Sequence, residues 1–157
     1  MTSYFDSSAL VAMYVTERFS ARARREAMAT AGIPYTPLHE LEVSNALRLL
    51  HGRGALDARQ LREVLGDIAQ DKETHRLLDS RPDLFVVFVD AVRLSAAHAT
   101  KLLCRSLDLL HVAAALQLGC SRFVSADVRQ LALAAAEGLE VVDVKGAGSR
   151  PRQRRRR

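Results

Sequence analysis

The sequence predicts an α/β fold, a three-layer α/β/α sandwich with a central parallel sheet of four to five strands. Segments with strand and helix patterns alternate along the chain, which is typical of repeated β-α units. The candidate strands are continuous apolar runs, as expected for a parallel sheet that helices cover on both faces. A length of 157 residues is enough for one domain with its own core.

The pattern places five candidate strands among seven candidate helices. The strands are TSYFD at 2–6, IPYT at 33–36, LFVVFV at 84–89, RFVSA at 122–126 and LEVVDV at 139–144. The helices span about 8–14, 17–31, 37–51, 57–78, 91–103, 107–118 and 128–137. Pro37 suits the first turn of a helix, and Gly32 and Gly119 mark helix ends. LFVVFV is the clearest candidate for a buried strand.

The positive charge of the chain is concentrated at its C-terminus. Six of the last eight residues, RPRQRRRR, are arginine, and removing them from the net charge of +5 leaves −1. We therefore expect a near-neutral domain over residues 1–145 and a disordered basic tail over 146–157 that attracts polyanions. Two interpretations of the tail stay open: an arm that binds nucleic acid, and an added end that only improves solubility.

Composition restricts the cellular setting. No apolar run approaches the roughly 18 residues of a membrane span, and the N-terminus has no signal-peptide pattern. Cys104 and Cys120 lack the CxxC spacing of a metal site, so we interpret both as structural thiols in a reduced compartment. These features predict a cytoplasmic protein with no membrane partner.

Three aspartates follow candidate strands, at the sheet edge where parallel α/β folds form their sites. Asp6, Asp90 and Asp127 come directly after or at the ends of TSYFD, LFVVFV and RFVSA. An aspartate at such a junction commonly caps the next helix, and this is the alternative for each of them. Several aspartates that meet at one edge are stronger evidence for a functional site than one aspartate alone.

Glu42 lies on the apolar side of its predicted helix, whereas Glu40 lies on the far side as an ordinary surface charge. The apolar arc consists of Leu38, Leu41, Val43, Ala46, Leu49 and Leu50. An acid within that arc needs a bound cation or an ion pair. The alternative for Glu42 is a buried pair with an arginine.

Asp108 is one of three polar side chains in the apolar helix LDLLHVAAALQL. Such a helix is expected at the centre of the fold. Ser106 is the candidate N-cap, so compensation of the helix dipole is the alternative for Asp108. We interpret His111, one turn later, as a hydrogen-bonded core histidine.

Carboxylates gathered at one sheet edge repel one another. At about 4 Å and an effective dielectric near 20, each pair costs about 4 kcal/mol, so the cluster needs cations or protonated members. Ligands that are all oxygen favour Mg²⁺ or Mn²⁺ over zinc. Such an ion suits phosphodiester hydrolysis, because it activates water and stabilises charge on the leaving oxygen.

Four segments, taken in order, resemble the PIN-domain ribonucleases, specifically VapC-type toxins of bacterial type II toxin–antitoxin pairs. They are YFDSSALV with Asp6, ELEVSNALRLL with Glu42, RSLDLLHVAAAL with Asp108, and RFVSADVRQLALAAAEGLEVV with Asp127. The resemblance covers about residues 3–143. It implies a PIN-like sandwich, Mg²⁺- or Mn²⁺-dependent cleavage of RNA such as tRNA or rRNA, and frequent homodimers. It also implies a small VapB-type antitoxin whose C-terminal segment lies over the active site.

The resemblance further implies roles for single residues. The acidic metal site would consist of Asp6, Glu42, Asp108 and Asp127. Asp6 would ligate the metal directly, Asp108 and Asp127 would hold it directly or through water, and Glu42 would bind a second cation or orient the attacking water. Ser125 matches a small hydroxyl position that helps to orient water or phosphate, and Ser7 is a weaker candidate. Asp90 and the arginine tail match no part of the family pattern, and we interpret Asp90 as a helix cap.

Other functions compete with a ribonuclease. A phosphatase of the haloacid dehalogenase type needs a second acid two residues after the first, where this chain has Ser8. A phospho-accepting receiver domain is expected to carry an acidic pair near the first strand, and SYFDSS has none. A catalytically silent protein of the same fold would bind RNA or a partner without cleavage, although the presence of all four acids favours the nuclease. A DNA flap is an alternative substrate, because the metal site does not itself distinguish the sugar.

Overall fold

The computed structural model describes residues 2–146, and these contain five strands and seven helices. The strands are β1 (Ser3–Phe5), β2 (Ile33–Tyr35), β3 (Leu77–Asp79), β4 (Arg122–Ser125) and β5 (Glu140–Asp143). The helices are α1 (Ser7–Tyr14), α2 (Ser20–Met28), α3 (Pro37–Gly52), α4 (Ala58–Glu73), α5 (Leu84–Leu102), α6 (Ser106–Gln117) and α7 (Val128–Ala136). Apart from Gly146, the predicted disordered tail lies outside the described residues.

The strand pairing is parallel throughout the described chain, but it divides between two sheets. β1, β4 and β5 form a three-stranded sheet in the order β1-β4-β5, and β2 pairs with β3 alone. The predicted single sheet of four to five strands is therefore wrong. β1 and β2 lie side by side, yet no ladder of backbone hydrogen bonds joins them within the described residues.

Pro34 accounts for this break. The N–H of Ile33 donates to the carbonyl of Arg76 at 3.0 Å, and the carbonyl of Tyr35 accepts from Ser80 at 2.9 Å, so both residues direct their backbone groups to the β3 side. Because successive residues of a strand alternate, the backbone of Pro34 faces the opposite edge, and proline has no N–H to donate there.

Helices cover both faces of the three-stranded sheet. Tyr4 and Phe123 point into a core that is closed by α5, α6 and α7. Their neighbours Phe5 and Val124 point into a second core, which is closed by α1, α2, α3 and α4. This alternation is the period of two along each strand. The arrangement is the predicted three-layer α/β/α sandwich.

Residues 84–89, predicted as the clearest strand, form the first turns of α5. Asp83 caps this helix by accepting hydrogen bonds from the backbone N–H groups of Phe85 and Val86. The buried residues have the helical spacing of three to four, at Val87, Ala91 and Leu94. The run resembles a buried strand because the side chains on the outer face of the helix, including Phe85 and Phe88, are apolar although they are exposed.

Two further boundaries differ from the prediction. The predicted helix over 57–78 ends at Glu73, and its last residues form β3 after a break at His75, whose φ of 57° lies in the left-handed region. Asp90 lies inside α5 and pairs with Arg93 at 2.6 Å, so it neither follows a strand nor caps a helix.

Helix α3 buries only part of the predicted arc, because Val43, Ala46 and Leu50 pack against the core. Its buried residues are His39, Val43 and Leu47, whereas Leu41 and Leu49 are exposed. Both cysteines are free, with Cys120 buried and Cys104 half-buried. Within residues 2–146, no helix has both the length and the apolar character that crossing a bilayer requires.

Candidate functional site

Four carboxylates that are far apart in the sequence line one cavity of about 570 Å³. They are Asp6, Glu42, Asp108 and Asp127. The cavity lies beyond the carboxyl ends of β1 and β4, where α1 and α7 begin, and beside the first turn of α6. The structure therefore brings together all four predicted acids, while their role as metal ligands stays a prediction.

Asp6 is buried and accepts three donors. The backbone N–H of Ala9 donates to Oδ1 at 2.8 Å, the hydroxyl of Ser8 lies 2.8 and 2.9 Å from the two oxygens, and the hydroxyl of Ser125 donates to Oδ2 at 2.7 Å. Asp6 thus caps α1 and also lines the cavity. Burial raises the pKa of this carboxyl, and this effect outweighs His111 and the three hydrogen bonds, which lower it.

Ser125 is hydrogen-bonded to two of the acids, Asp6 and Asp127. It is fully buried, donates to Asp6, and accepts a hydrogen bond of 2.8 Å from the backbone N–H of Asp127. It does not belong to the described lining of the cavity. Its position suits the orientation of Asp6 rather than direct contact with water or phosphate.

Glu42 pairs with a histidine, so the predicted alternative of an arginine pair is wrong. Its Oε2 atom is hydrogen-bonded to Nε2 of His111 and accepts from the hydroxyl of Ser7 at 2.7 Å. Burial by itself raises the pKa of Glu42, but the hydrogen bond and charge of His111, together with Ser7, bring the pKa below its ordinary value. Within the described residues, Oε1 accepts no hydrogen bond, which leaves it free for a ligand.

His111 is the hydrogen-bonded core histidine that the sequence predicts. It is buried, and its Nδ1 atom lies 2.9 Å from the hydroxyl of Tyr4. The hydroxyl of Tyr4 and the carboxylate of Glu42 thus contact the two different nitrogens of the ring, Nδ1 and Nε2. The chain from Tyr4 through His111 therefore fixes the orientation of the Glu42 carboxylate.

Asp108 is buried in the first turn of α6. It accepts from the backbone N–H of Arg105 at 2.8 Å and from the side-chain amide of Gln130 at 3.1 Å. The N-cap of α6 is Arg105 and not the predicted Ser106. Because the amide nitrogen of Gln130 serves Asp108, its buried oxygen is left without a hydrogen-bond partner among the described residues.

Asp127 caps α7 and meets two guanidinium groups. It accepts from the backbone N–H of Arg129 at 2.8 Å, and its Oδ2 lies 3.5 Å from Nη2 of Arg129 and 3.8 Å from Nη2 of Arg105. Burial raises the pKa of this carboxyl, but the hydrogen bonds and the charge of Arg129 lower it overall. Arg105, which lines the cavity and has an exposed side chain, also approaches Asp108.

The donor set fits a hard divalent cation, since it consists of carboxylate oxygens. Asp6 accepts from three donors, one of which, the hydroxyl of Ser8, lies within hydrogen-bond distance of both carboxylate oxygens. Glu42 keeps Oε1. Among residues 2–146, no group of three or more His, Cys, Asp or Glu side chains is arranged so that it could hold a metal ion. A metal centre here is therefore a proposal about chemistry and not a described geometry.

Several residues of the site were not predicted from the sequence. Ser8 and Arg105 lie two residues after Asp6 and three residues before Asp108, and Gln130 is one helical turn after Asp127. Their proximity in sequence to the predicted acids is the signal that would have found them. Tyr4 is equally close to Asp6 in the sequence, but its contact with His111 exists only in the folded chain.

A larger cavity lies elsewhere, at the ends of β2 and β3. Its volume is about 1050 Å³. Its charged side chains largely neutralise each other, because Lys72 pairs with Glu40 and Arg81 lies 2.9 Å from Asp79. Glu40 is thus an exposed surface charge, as predicted, and this cavity gathers no cluster of like charge.

Comparison with known proteins informs the fold. No protein-family model matches the chain, and no curated protein matches it. Among solved structures, it is similar to the crystal structure of PAE2754 from Pyrobaculum aerophilum, with a TM-score of 0.59 and 19% sequence identity over 92% of each chain. At this identity the likeness shows the fold alone. The two proteins share one α/β architecture over nearly their full compared lengths.

Proposed function

We propose that the protein is a Mg²⁺- or Mn²⁺-dependent endoribonuclease, a toxin of the PIN-domain VapC type. The observation that carries the proposal is the convergence of Asp6, Glu42, Asp108 and Asp127 on one cavity. Four carboxylates in a partly buried space cost free energy through mutual repulsion and desolvation. A bound divalent cation offsets that cost, which gives the cluster a physical reason to exist.

The proposed roles follow from burial and from free oxygen atoms. Asp6 and Asp108 are buried and held by fixed donors, so their carboxylates need little reorganisation on binding a cation. Asp6 is the proposed direct ligand, and Asp108 and Asp127 act directly or through water. Glu42, held by His111, directs Oε1 at the attacking water or at a second cation. The metal, when bound, lowers the pKa of water and stabilises charge on the leaving oxygen.

Arginine at the cavity supports a polyanionic substrate. The four carboxylates alone would repel a phosphodiester, whereas Arg105 and Arg129 bring two positive charges close to Asp127. The exposed guanidinium of Arg105 is suited to a phosphate oxygen, because arginine binds phosphate with paired donors. We propose structured RNA, tRNA or rRNA, as the substrate class.

A groove beside the acids supports a VapB-type antitoxin as the partner. It has a volume of about 640 Å³ and shares Ser7, Ser8, Glu42 and Leu107 with the acidic cavity. Its apolar lining includes Val11, Phe19, Leu41, Leu49 and Leu107. An extended antitoxin segment with apolar side chains would lie along this groove and cover the acids. Together with an RNA substrate, such a partner makes the cytoplasm the proposed location.

The test is cleavage of labelled tRNA and rRNA by the purified chain, with Mg²⁺, with Mn²⁺ and with a chelator. Asp6→Asn is the informative variant, because asparagine keeps one side-chain oxygen to cap α1, while the charge and one acceptor oxygen are lost. We expect metal-dependent cleavage by the wild type and a loss of about 100-fold or more in the variant. Glu40→Gln removes an acid from the same helix as Glu42 without touching the acidic cavity, and this variant should cleave normally.

Each alternative predicts a different result. RNA binding without cleavage at any metal concentration would support the catalytically silent binding protein. Equal cleavage of a matched DNA strand would move the substrate class away from RNA. Cleavage that Asp6→Asn leaves intact would show that the acids are not the active site.

A further inference from the structure

The last described residues lie beside the apolar groove of about 640 Å³ that adjoins the acidic cavity. The ammonium group of Lys145 lies 5.8 Å from the ring centroid of Phe19, a residue that lines the groove. The carbonyl of the next residue, Gly146, accepts from the guanidinium group of Arg22 at 2.6 Å. Residues 147–157, which are not among the described residues, therefore follow from a point beside the groove.

The span of residues 147–157 is sufficient to reach the acids. Asp143 pairs with Ser125 across β5 and β4, and Ser125 donates to Asp6 at 2.7 Å. Neighbouring strands lie about 5 Å apart and three extended residues span about 10 Å, so Gly146 is within about 20 Å of Asp6. The segment has 11 residues and can extend over about 36 Å. The arginines at its far end can therefore reach the cavity.

Charge complementarity favours a basic segment as the occupant. Glu17 and Glu42 are the charged residues in the described lining of the groove, and both are acidic. The adjoining cavity holds four carboxylates against the two nearby guanidinium groups of Arg105 and Arg129. Residues 150–157 carry six arginines. Groove and cavity therefore present an excess of negative charge to the most basic segment of the chain.

Two oxygen atoms at the cavity have no donor among residues 2–146. One is the side-chain oxygen of Gln130, a residue that lines the cavity and is only 8% exposed. The other is Oε1 of Glu42, because Oε2 takes part in both hydrogen bonds of this carboxylate. Arginine presents five N–H donors and no acceptor, and it binds carboxylates through paired hydrogen bonds. A guanidinium group would therefore supply the donors that these acceptors lack.

We propose that the arginine-rich segment at residues 150–157 binds the groove of its own chain and places a guanidinium group in the acidic cavity. There its positive charge takes the place of the divalent cation, and the segment covers the acids. The binding itself does not depend on the chemistry of the site, but its consequence, restraint of RNA cleavage, rests on the proposed function. The groove is also the one that we assign to the antitoxin, so the two occupants exclude each other.

The test is fluorescence anisotropy of a labelled peptide with the sequence RPRQRRRR, without metal or RNA. The salt concentration is about 0.15 M, at which exposed charges more than about 8 Å apart are largely screened. The receiving protein is the full chain in which glutamine replaces the six arginines of residues 150–157, so that its own segment does not compete. We expect the peptide to bind this glutamine variant.

Acids of the groove should control this affinity. Glu42→Gln, added to the glutamine variant, should weaken binding of the peptide at least about 10-fold, because a hydrogen bond to a charged group is lost. Glu40→Gln is the matched control, since Glu40 lies on the same helix and lines neither the groove nor the acidic cavity. This control should change the affinity by less than about two-fold.

The wild-type chain reports on the tethered segment. Its own arginines are present at an effective concentration on the order of millimolar. The labelled peptide should therefore bind the wild type at least about 10-fold more weakly than it binds the glutamine variant. Equal affinities would show that the segment does not occupy the groove of its own chain.

Circular dichroism checks that each variant folds. Should Glu42→Gln fail to fold, Glu17→Gln replaces it, because Glu17 is an exposed acid of the groove, and the expected weakening is about three-fold. Failure of the peptide to bind, or equal effects of the groove variant and Glu40→Gln, would overturn the proposal. Because the measurement contains neither metal nor RNA, that result would leave the nuclease proposal unaffected, which metal-dependent cleavage tests separately.

Discussion

His111 and Glu42, which lie 69 residues apart in the sequence, are joined by a hydrogen bond between Nε2 and Oε2. This contact explains why helix α3 tolerates an acid on a half-buried side. The histidine is itself oriented by Tyr4, so the carboxylate is held by a chain of three side chains. One oxygen of Glu42 is occupied by this chain, and the other is left for the cavity.

The pair should be energetically coupled. We expect His111→Ala to reduce the free energy of unfolding by about 3 kcal/mol, because it removes a buried ring and leaves Glu42 without its partner. In a double-mutant cycle by urea denaturation, His111→Ala and Glu42→Gln should deviate from additivity by about 1 kcal/mol or more. The same cycle with Glu40→Gln should be additive within about 0.5 kcal/mol. Additivity in both cycles would contradict the coupling.

Metal binding should stabilise the fold through Asp6. If the acidic cavity holds Mg²⁺, a free concentration 100-fold above the dissociation constant adds about 2.7 kcal/mol to the free energy of unfolding. Thermal denaturation with and without Mg²⁺ measures this as a rise in Tm. Asp6→Asn should lose most of the rise, and Glu40→Gln should keep it. An equal rise in both variants would place the ion elsewhere.

Leu47 and Leu41 distinguish the two faces of α3. Leu47 is fully buried, whereas Leu41 is 67% exposed although it belongs to the predicted apolar arc. We expect Leu47→Ala to cost about 2–5 kcal/mol of unfolding free energy, because it leaves a cavity in the core. Leu41→Ala should change it by less than about 0.5 kcal/mol. Chemical denaturation of both variants checks this, and similar losses would show that the helix is rotated.

Glu137 should make stability depend on pH. It connects α7 to α5 through Arg93 and His98, and the Arg93 hydrogen bond holds the pKa of its carboxyl below the usual value. A carboxyl whose folded-state pKa is depressed stabilises the fold above its unfolded pKa of about 4.3, and the effect is lost as pH falls through the folded value. Glu137→Gln should therefore be less stable than the wild type at pH 7, by up to about 1 kcal/mol, and equally stable near pH 2.

Glu63 provides the control for that prediction. It pairs with Arg59 at 3.5 Å one helical turn away on an exposed surface. Such pairs contribute about 0.3–0.5 kcal/mol at most. If Glu63→Gln lost as much stability at pH 7 as Glu137→Gln does, the ion pairs of Glu137 between α5 and α7 would stabilise the fold no more than an ordinary surface pair.

The arginine-rich end should control the salt dependence of RNA binding. Deletion of residues 150–157 removes six arginines. If these arginines neutralise phosphates, the slope of log affinity against log salt should become shallower, by up to about 0.7 for each phosphate of a single-stranded RNA that the shortened chain leaves unneutralised. Filter binding to one RNA at several salt concentrations measures the slope. An unchanged slope would support the interpretation of the tail as a solubilising end.

The sequence by itself determined the features that arise from near neighbours along the chain. The order of strands and helices was largely predictable, because periodicity and helix ends are set within a few residues. Asp6 and Asp127 were found because each follows a strand and caps the next helix, and Asp108 because it interrupts an apolar helix. The meeting of Asp6 and Asp127 at one sheet edge followed from the parallel pairing of β1 with β4.

Only the tertiary structure decided the features that depend on distant neighbours. An apolar run does not say which of its sides will be buried, so residues 84–89 matched a strand although packing against α6 makes them a helix with an exposed face. The division of the sheet depends on which edge Pro34 presents to β1. The partner of Glu42 could not be deduced, because it comes from another helix. Contacts of this kind exist only once the chain has closed long loops, and no local pattern records them.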